Sequence, residues 1–217
     1  MPKWCKSILG ILLLPFCAGA GWALWTVITQ SGGADTIWVP MLAGMLCWGV
    51  VYALLPKPMW IYVVGHELTH AVWTWAFGGR VKRFRVGSNG GHVVITRSNF
   101  LIALAPYFFP FYAAMLVLVF VGGHWIWNWS GYVAWFHLLL GAAYGFHLTL
   151  TFHILRTSQS DITEQGYVFS AAVIFLGNAI VLMIGIPLLT SRVGVWAAMA
   201  GWLRCTGEIF RRLAHLW

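Results

Sequence analysis

The chain has 217 residues, 60% hydrophobic and only 8% charged, with a formal charge of +8 and a mean hydropathy of +0.79. Soluble domains carry about 25% charged residues, so a soluble globular fold is excluded, and no polar stretch is long enough for a separate soluble domain. The basic residues flank apolar runs, which makes phospholipid headgroups the expected partners of the positive charge and argues against nucleic acid.

The N-terminus resembles a signal peptide, with Lys3 and Lys6 before the apolar run Ile8 to Phe16 and the small residues Ala18, Gly19 and Ala20. The apolar character continues to Ile28 with no polar domain behind it, so residues 7 to 29 are expected to form a first, uncleaved span. Ser31 to Asp35 reads as a turn. Ile37 to Leu55 is a second expected span, closed by Pro56-Lys57-Pro58. A third is expected over residues 58 to 77, with Pro58 in its first turn and Gly78-Gly79 ending it.

Arg80 to Val86 and His92 to Thr96 are short β-prone runs joined by Gly87-Ser88-Asn89-Gly90-Gly91, which predicts a hairpin. An open strand edge cannot face lipid, so its five basic residues are expected at the headgroups. Ser98 or Asn99 is placed to cap the next helix. A fourth span, about residues 100 to 121, contains Pro106 and Pro110. Each proline kinks a helix and frees backbone carbonyls that neighbours must satisfy.

Residues 131 to 155 form a fifth expected span carrying His137, His147 and His153, followed by the polar stretch Arg156 to Gly166. The sixth, Tyr167 to Leu189, contains Asn178. Residues 193 to 217 space Trp196, Met199, Trp202, Leu203 and Phe210 with Arg204, Arg211 and Arg212 between them. That pattern suits an amphipathic helix in the interface rather than a seventh span. The expected fold is therefore an all-α polytopic membrane protein, with about six transmembrane helices, a β-hairpin after the third and a C-terminal amphipathic helix. The whole chain reads as one integral membrane domain, with two N-terminal spans in 1–57, a core in 58–190 and the interfacial helix in 191–217. Six spans would put seven basic residues on one side and six on the other, so charge asymmetry gives no orientation. Fifteen tryptophans suit two lipid–water interfaces. Cys5, Cys17, Cys47 and Cys205 are scattered and have no C-x-x-C spacing, which points to neither a disulfide framework nor a thiolate metal site.

The third span holds the chemistry. His66-Glu67-Leu68-Thr69-His70 puts two histidines four residues apart on one helix face, with a glutamate beside them. This H-E-x-x-H spacing is that of zinc hydrolases, with the histidines as ligands and the glutamate as general base. Three polar groups inside a span cost several kcal/mol without a purpose and mark a functional site by default. A catalytic zinc takes three protein ligands and a water. Asp161 and Glu164, between the fifth and sixth spans, are candidate third ligands, since a carboxylate also offsets the ion's charge, and His147 and His153 compete with them. His137 reads as a packing residue.

The motif within a span, followed by Phe77-Gly78-Gly79-Arg80-Val81, a hairpin containing Gly90-Gly91-His92-Val93, and Ala105-Pro106 in the next span, resembles the site-2 protease family of intramembrane metalloproteases. The resemblance covers roughly residues 58 to 185. It implies that His66 and His70 bind zinc, that Glu67 is the base and that Asp161 is the third ligand, although Ser160-Asp161-Ile162 stands where that family carries Asp-Gly. It implies a membrane-protein substrate, extended at the cut, that pairs with the hairpin edge near Gly91, His92 and Val93. Asn178 is a candidate helper for the developing oxyanion. Two other function classes remain open: a metal- or proton-coupled transporter, for which repeat-related broken helices are expected but none is evident, and a catalytically silent scaffold of the same fold.

Overall fold

A computed structural model of the chain describes residues 2–87 and 90–215. Among these residues are nine α-helices and one two-stranded antiparallel hairpin. They form two compact units, residues 36–159 and residues 1–35 with 160–217.

The second of these contains α1 (Lys3–Gln30), α7 (Ser160–Gln165), α8 (Tyr167–Thr190) and α9 (Val195–Ala214). Helix α1 presents Gly10, Gly19, Ala20 and Ala23 as its buried stripe. Small residues let backbones approach closely where lipid offers no hydrophobic drive for association. A Cβ on Gly10 would come within 2.7 Å of the Phe169 backbone nitrogen in α8, and one on Gly19 would collide with Thr206 in α9. Cys17 Sγ donates to the Ala172 carbonyl at 3.7 Å and Trp202 Nε1 to the Phe16 carbonyl at 2.9 Å, tying α1 to both neighbours. Lys6 Nζ donates to Gln165 Oε1 at 2.7 Å and holds α7 against the start of α1. Helix α9 is amphipathic as expected: Ala198 and Thr206 are buried, while Arg211 and Arg212 pair with Glu208 on an exposed face.

The other unit holds α2 (Asp35–Leu54), α3 (Met59–Ala76), β1 (Val81–Gly87), β2 (Gly90–Ile95), α4 (Phe100–Leu104), α5 (Phe111–Trp127) and α6 (Val133–Ile154). Helices α2 and α6 cross where both are glycine. A Cβ on Gly44 would strike the Leu138 carbonyl, and one on Gly141 the Met41 carbonyl. Trp48 Nε1 donates to Thr149 Oγ1 at 2.8 Å beside that crossing. The other face of α2 is bare, with Val39, Leu42, Leu46, Val50 and Leu54 exposed in one stripe at helical spacing, Leu54 to 77%.

Four helical segments are long and apolar enough to cross a membrane: α1, α2, residues Trp129–Ile154 ending in α6, and α8. The expected fourth span is broken. Residues Phe100–Tyr107 meet α5 at 81°, with Pro106 and Pro110 at the break, and the pair counts as a fifth span only if taken together. Helix α3 is not among the apolar candidates. His66, Glu67 and His70 lower its hydropathy, and it has only 18 residues. By length and apolarity, four of the described segments, or five with the bent pair taken as one, are suited to crossing a membrane. Large apolar side chains nonetheless cover the surface, Trp125 being 90% exposed, far beyond what a water-soluble monomer tolerates.

Candidate metal centre

Helix α3 ends in a Schellman motif: Gly78, at φ +69°, donates its N–H to the Trp75 carbonyl at 2.9 Å, and Gly79 donates to Thr74 at 2.8 Å. Arg97 Nη1 caps the Phe77 carbonyl at 3.2 Å. The chain is thereby turned sharply from helix into hairpin, so the strands fold back along α3. In the hairpin Val81 pairs with Ile95, Phe84 with Val93 and Gly87 with Gly90, with an irregularity between Val81 and Arg83. Gly90 and Gly91, expected in the turn, belong to β2. Ser88 and Asn89 of that turn lie outside the described residues.

The histidine pair is assembled as its spacing predicts. The rings of His66 and His70 are 4.9 Å apart and nearly perpendicular, and each offers a ligand nitrogen within 4.8 Å of the other's. Tyr107 meets the His66 ring edge-on at 5.4 Å, and Tyr62 lies tilted to it at 5.8 Å. His70 is 8% exposed. Its Nδ1 lies 2.9 Å from the Ile102 carbonyl oxygen in α4. That carbonyl would ordinarily accept from the N–H four residues on, but the residue there is Pro106, which has none. As the donor, His70 Nδ1–H satisfies the freed carbonyl and leaves Nε2 as the basic nitrogen, the arrangement that orients metal-binding imidazoles. Ile102 is held in turn by Asn99, whose Oδ1 accepts from the Ile102 N–H at 2.8 Å. Asn99 is thus the expected cap.

Glu67 is 8% exposed and is covered by β2. A Cβ on Gly91 would lie 2.8 Å from Glu67 Oε1 and 2.8 Å from Val63 Cγ1. Only a glycine lets the strand lie this close to the carboxylate. His92 is exposed on the strand and pairs in register with Arg85, while Val93 is half-buried opposite Phe84. On the other side, a Cβ on Gly65 would lie 2.6 Å from the Tyr112 ring, and Tyr112 donates its hydroxyl to the Ile61 carbonyl at 2.6 Å. Helix α5 therefore buttresses the turn of α3 that opens the motif.

The remaining candidates stand elsewhere. Asp161 lies half-buried in the first turn of α7, in the unit that does not contain the histidines. Residues Ser160–Gln165 of the polar stretch are helical. Asn178 Nδ2 donates to the Ile174 carbonyl of its own helix at 2.9 Å. His137 is buried in α6. His147, also in α6, is 7% exposed and lines a cavity that His66 also lines. His153 is half-buried in the last turn of α6. All four cysteines are free thiols. Ile102 and Tyr112 were not singled out by the sequence reading. The one signal for Ile102 was the proline four residues after it. No protein-family model, curated protein or solved structure matches the chain.

Proposed function

We propose that the protein is an intramembrane zinc metalloprotease, cutting a peptide bond in or near a transmembrane segment of a membrane protein. The observation that carries this reading is the pairing of His66 and His70, their rings 4.9 Å apart and His70 Nδ1 2.9 Å from the Ile102 carbonyl oxygen. Nitrogen donors in this arrangement suit zinc. Asp161 is proposed as the third ligand on the strength of the sequence resemblance. Bound zinc would polarise the scissile carbonyl and acidify the attacking water.

Glu67 is the proposed base. It takes one proton from the water as the new C–O bond forms and delivers it to the leaving nitrogen as the C–N bond breaks; the water's second proton then passes from the new carboxyl to the amine, giving a carboxylate and an ammonium. Burial beneath β2 keeps its carboxylate out of bulk solvent, where charge interactions are stronger. The hairpin supplies backbone for an extended substrate at Gly91, His92 and Val93, by strand addition. The four apolar helices and the exposed apolar surface support a multi-pass membrane location. The basic hairpin and α9 are suited to phospholipid headgroups.

The deciding experiment compares wild type with Glu67→Gln. Both are purified in detergent, analysed for zinc, and co-expressed with a panel of single-span membrane proteins. The reading expects equal zinc and cleavage by wild type alone. Cleavage by both, or zinc in neither, overturns it.

A further inference from the structure

The hairpin over Glu67 has two chemically different faces. Successive side chains of a strand point to opposite sides, and residues directly across an antiparallel ladder share a side. A Cβ on Gly91 would point at Glu67 and Val63, so the Gly91 side is the inner one. By register, Phe84, Val86 and Val93 share it. The outer side carries Arg83, Arg85 and His92, with Arg85 directly across from His92 and Arg83 across from Val94. All three are exposed. The two faces thus begin one residue apart, Gly91 against the carboxylate and His92 away from it.

The outer face is suited to an anion. Residues Arg80 to Arg97 include five basic side chains and no acidic one. None of Arg83, Arg85 and His92 has an ion-pair or side-chain hydrogen-bond partner among the described residues. Like charges crowded on one face of a ladder are unfavourable, and an incoming carboxylate relieves them. Arginine fits that role, since guanidinium and carboxylate pair through two parallel hydrogen bonds.

The place of the patch in the sheet decides among anions. Strand β2 is paired with β1 on one edge only, and its other edge is where strand addition at Gly91, His92 and Val93 puts the substrate. An added strand lies about 4.8 Å from β2 and about twice that from β1. Its side chains alternate as those of β2 do, one set on the side of α3 and Glu67, the other beside His92 and within reach of the long arginines. Acidic side chains on every second residue fit that alternation, and a lipid phosphate has no counterpart in it.

We propose that the outer face of the hairpin is a specificity surface for acidic substrates, on which Arg83, Arg85 and His92 pair with aspartate or glutamate at alternate positions of the extended stretch around the cut. This rests on the protease reading and adds to it the kind of substrate selected. The arginines set which peptide binds and in which register; they take no part in breaking the bond.

The test uses full-length, zinc-loaded protein in an uncharged detergent. Its probes are single-span peptides with two alternate residues beside the span set to Glu, Gln or Lys, the pair being walked along that stretch. At the best register wild type is expected to cleave them in that order. Two exposed ion pairs put the Glu peptide about tenfold above the Gln peptide in kcat/KM, a gap that narrows as salt rises. Arg83→Glu with Arg85→Glu is expected to reverse the order. Each ratio is taken within one preparation, so a partly folded sample does not distort it. Should the double variant fail to fold, Arg85→Gln is expected to flatten the order. Binding of the labelled peptides to zinc-loaded Glu67→Gln reads the preference without turnover. Equal binding and equal cleavage of the three peptides overturn the proposal, and so does an order that the substitutions leave unchanged. If the substitutions alter only partition onto phosphatidylglycerol vesicles, the face is a headgroup site and the proposal fails. Acidic preference in binding with no cleavage by wild type overturns the protease reading instead and leaves the surface assigned.

Discussion

His70 Nδ1 and the carbonyl oxygen of Ile102 lie 2.9 Å apart, and the carbonyl is available because Pro106 stands four residues later. An imino acid in one helix thus sets the ring orientation of a candidate metal ligand in another. Pro106→Ala supplies an N–H that competes for Ile102 and straightens the break between α4 and α5. It is expected to lower zinc affinity about tenfold, the smaller end of the range for partners of metal-binding histidines. Competition with a chromophoric chelator measures this, and unchanged affinity would detach the proline from the site.

Zinc should stabilise the folded chain. A ligand that binds only the native state at a hundredfold excess over its Kd contributes about 2.7 kcal/mol. The unfolding midpoint of metal-stripped protein is expected to rise when zinc is added back. His66→Ala with His70→Ala should abolish that rise, while Glu67→Gln, which removes no proposed ligand, should keep it.

Gly91 is expected to tolerate nothing larger than hydrogen. In Gly91→Ala the new Cβ would press on Glu67 and Val63, so either the strand lifts or the carboxylate moves. Cleavage should fall at least tenfold with zinc retained, because a displacement of about 1 Å at a reacting group can cost about a hundredfold. Gly87→Ala, whose Cβ would meet only the Gly90 carbonyl at 3.7 Å, is the control and should be near wild type.

The α2–α6 crossing predicts a stability effect without a chemical one. Gly44→Ala or Gly141→Ala forces backbones apart in a packed contact, which costs about 1–3 kcal/mol. The unfolding midpoint should drop in both, while zinc stoichiometry in the protein that remains folded stays the same.

Glu208 gives a pH prediction. The hydrogen bond from Arg212, with the nearby charge of Arg211, holds its carboxyl below the ordinary 4.5. A depressed folded-state pKa stabilises above the unfolded value, and the contribution is lost as pH falls from about 4.5 through the lower folded value. The group is fully exposed, so the effect is small and screened by salt. A carboxyl resonance titrating below 4.5, and returning toward it in Arg212→Gln, would establish it.

Local rules carried the histidine pair, since a spacing of four residues needs nothing but helix geometry to bring two rings together. The helix stop at Gly78-Gly79, the cap at Asn99 and the amphipathic α9 were legible for the same reason: each depends on residues within a few positions. Pro106 announced a freed carbonyl but not its partner, because His70 reaches it across 32 residues of chain. Span counting is where local apolarity meets geometry: the expected fourth span is bent through 81° at its two prolines, and the polar motif lowers the apolarity of α3. That Gly90-Gly91 continues a strand rather than a turn, and that the strand covers Glu67, depends on the hairpin folding back along α3. No short-range pattern encodes that contact.

The bare stripe of α2 bears on handling. Val39, Leu42, Leu46, Val50 and Leu54 form a ridge about four helical turns long that the rest of its unit does not cover. Outside a bilayer, this ridge is apolar surface that surfactant tails or another molecule must cover. Micelle size and acyl-chain length are therefore the preparation variables to screen first, ahead of salt or pH.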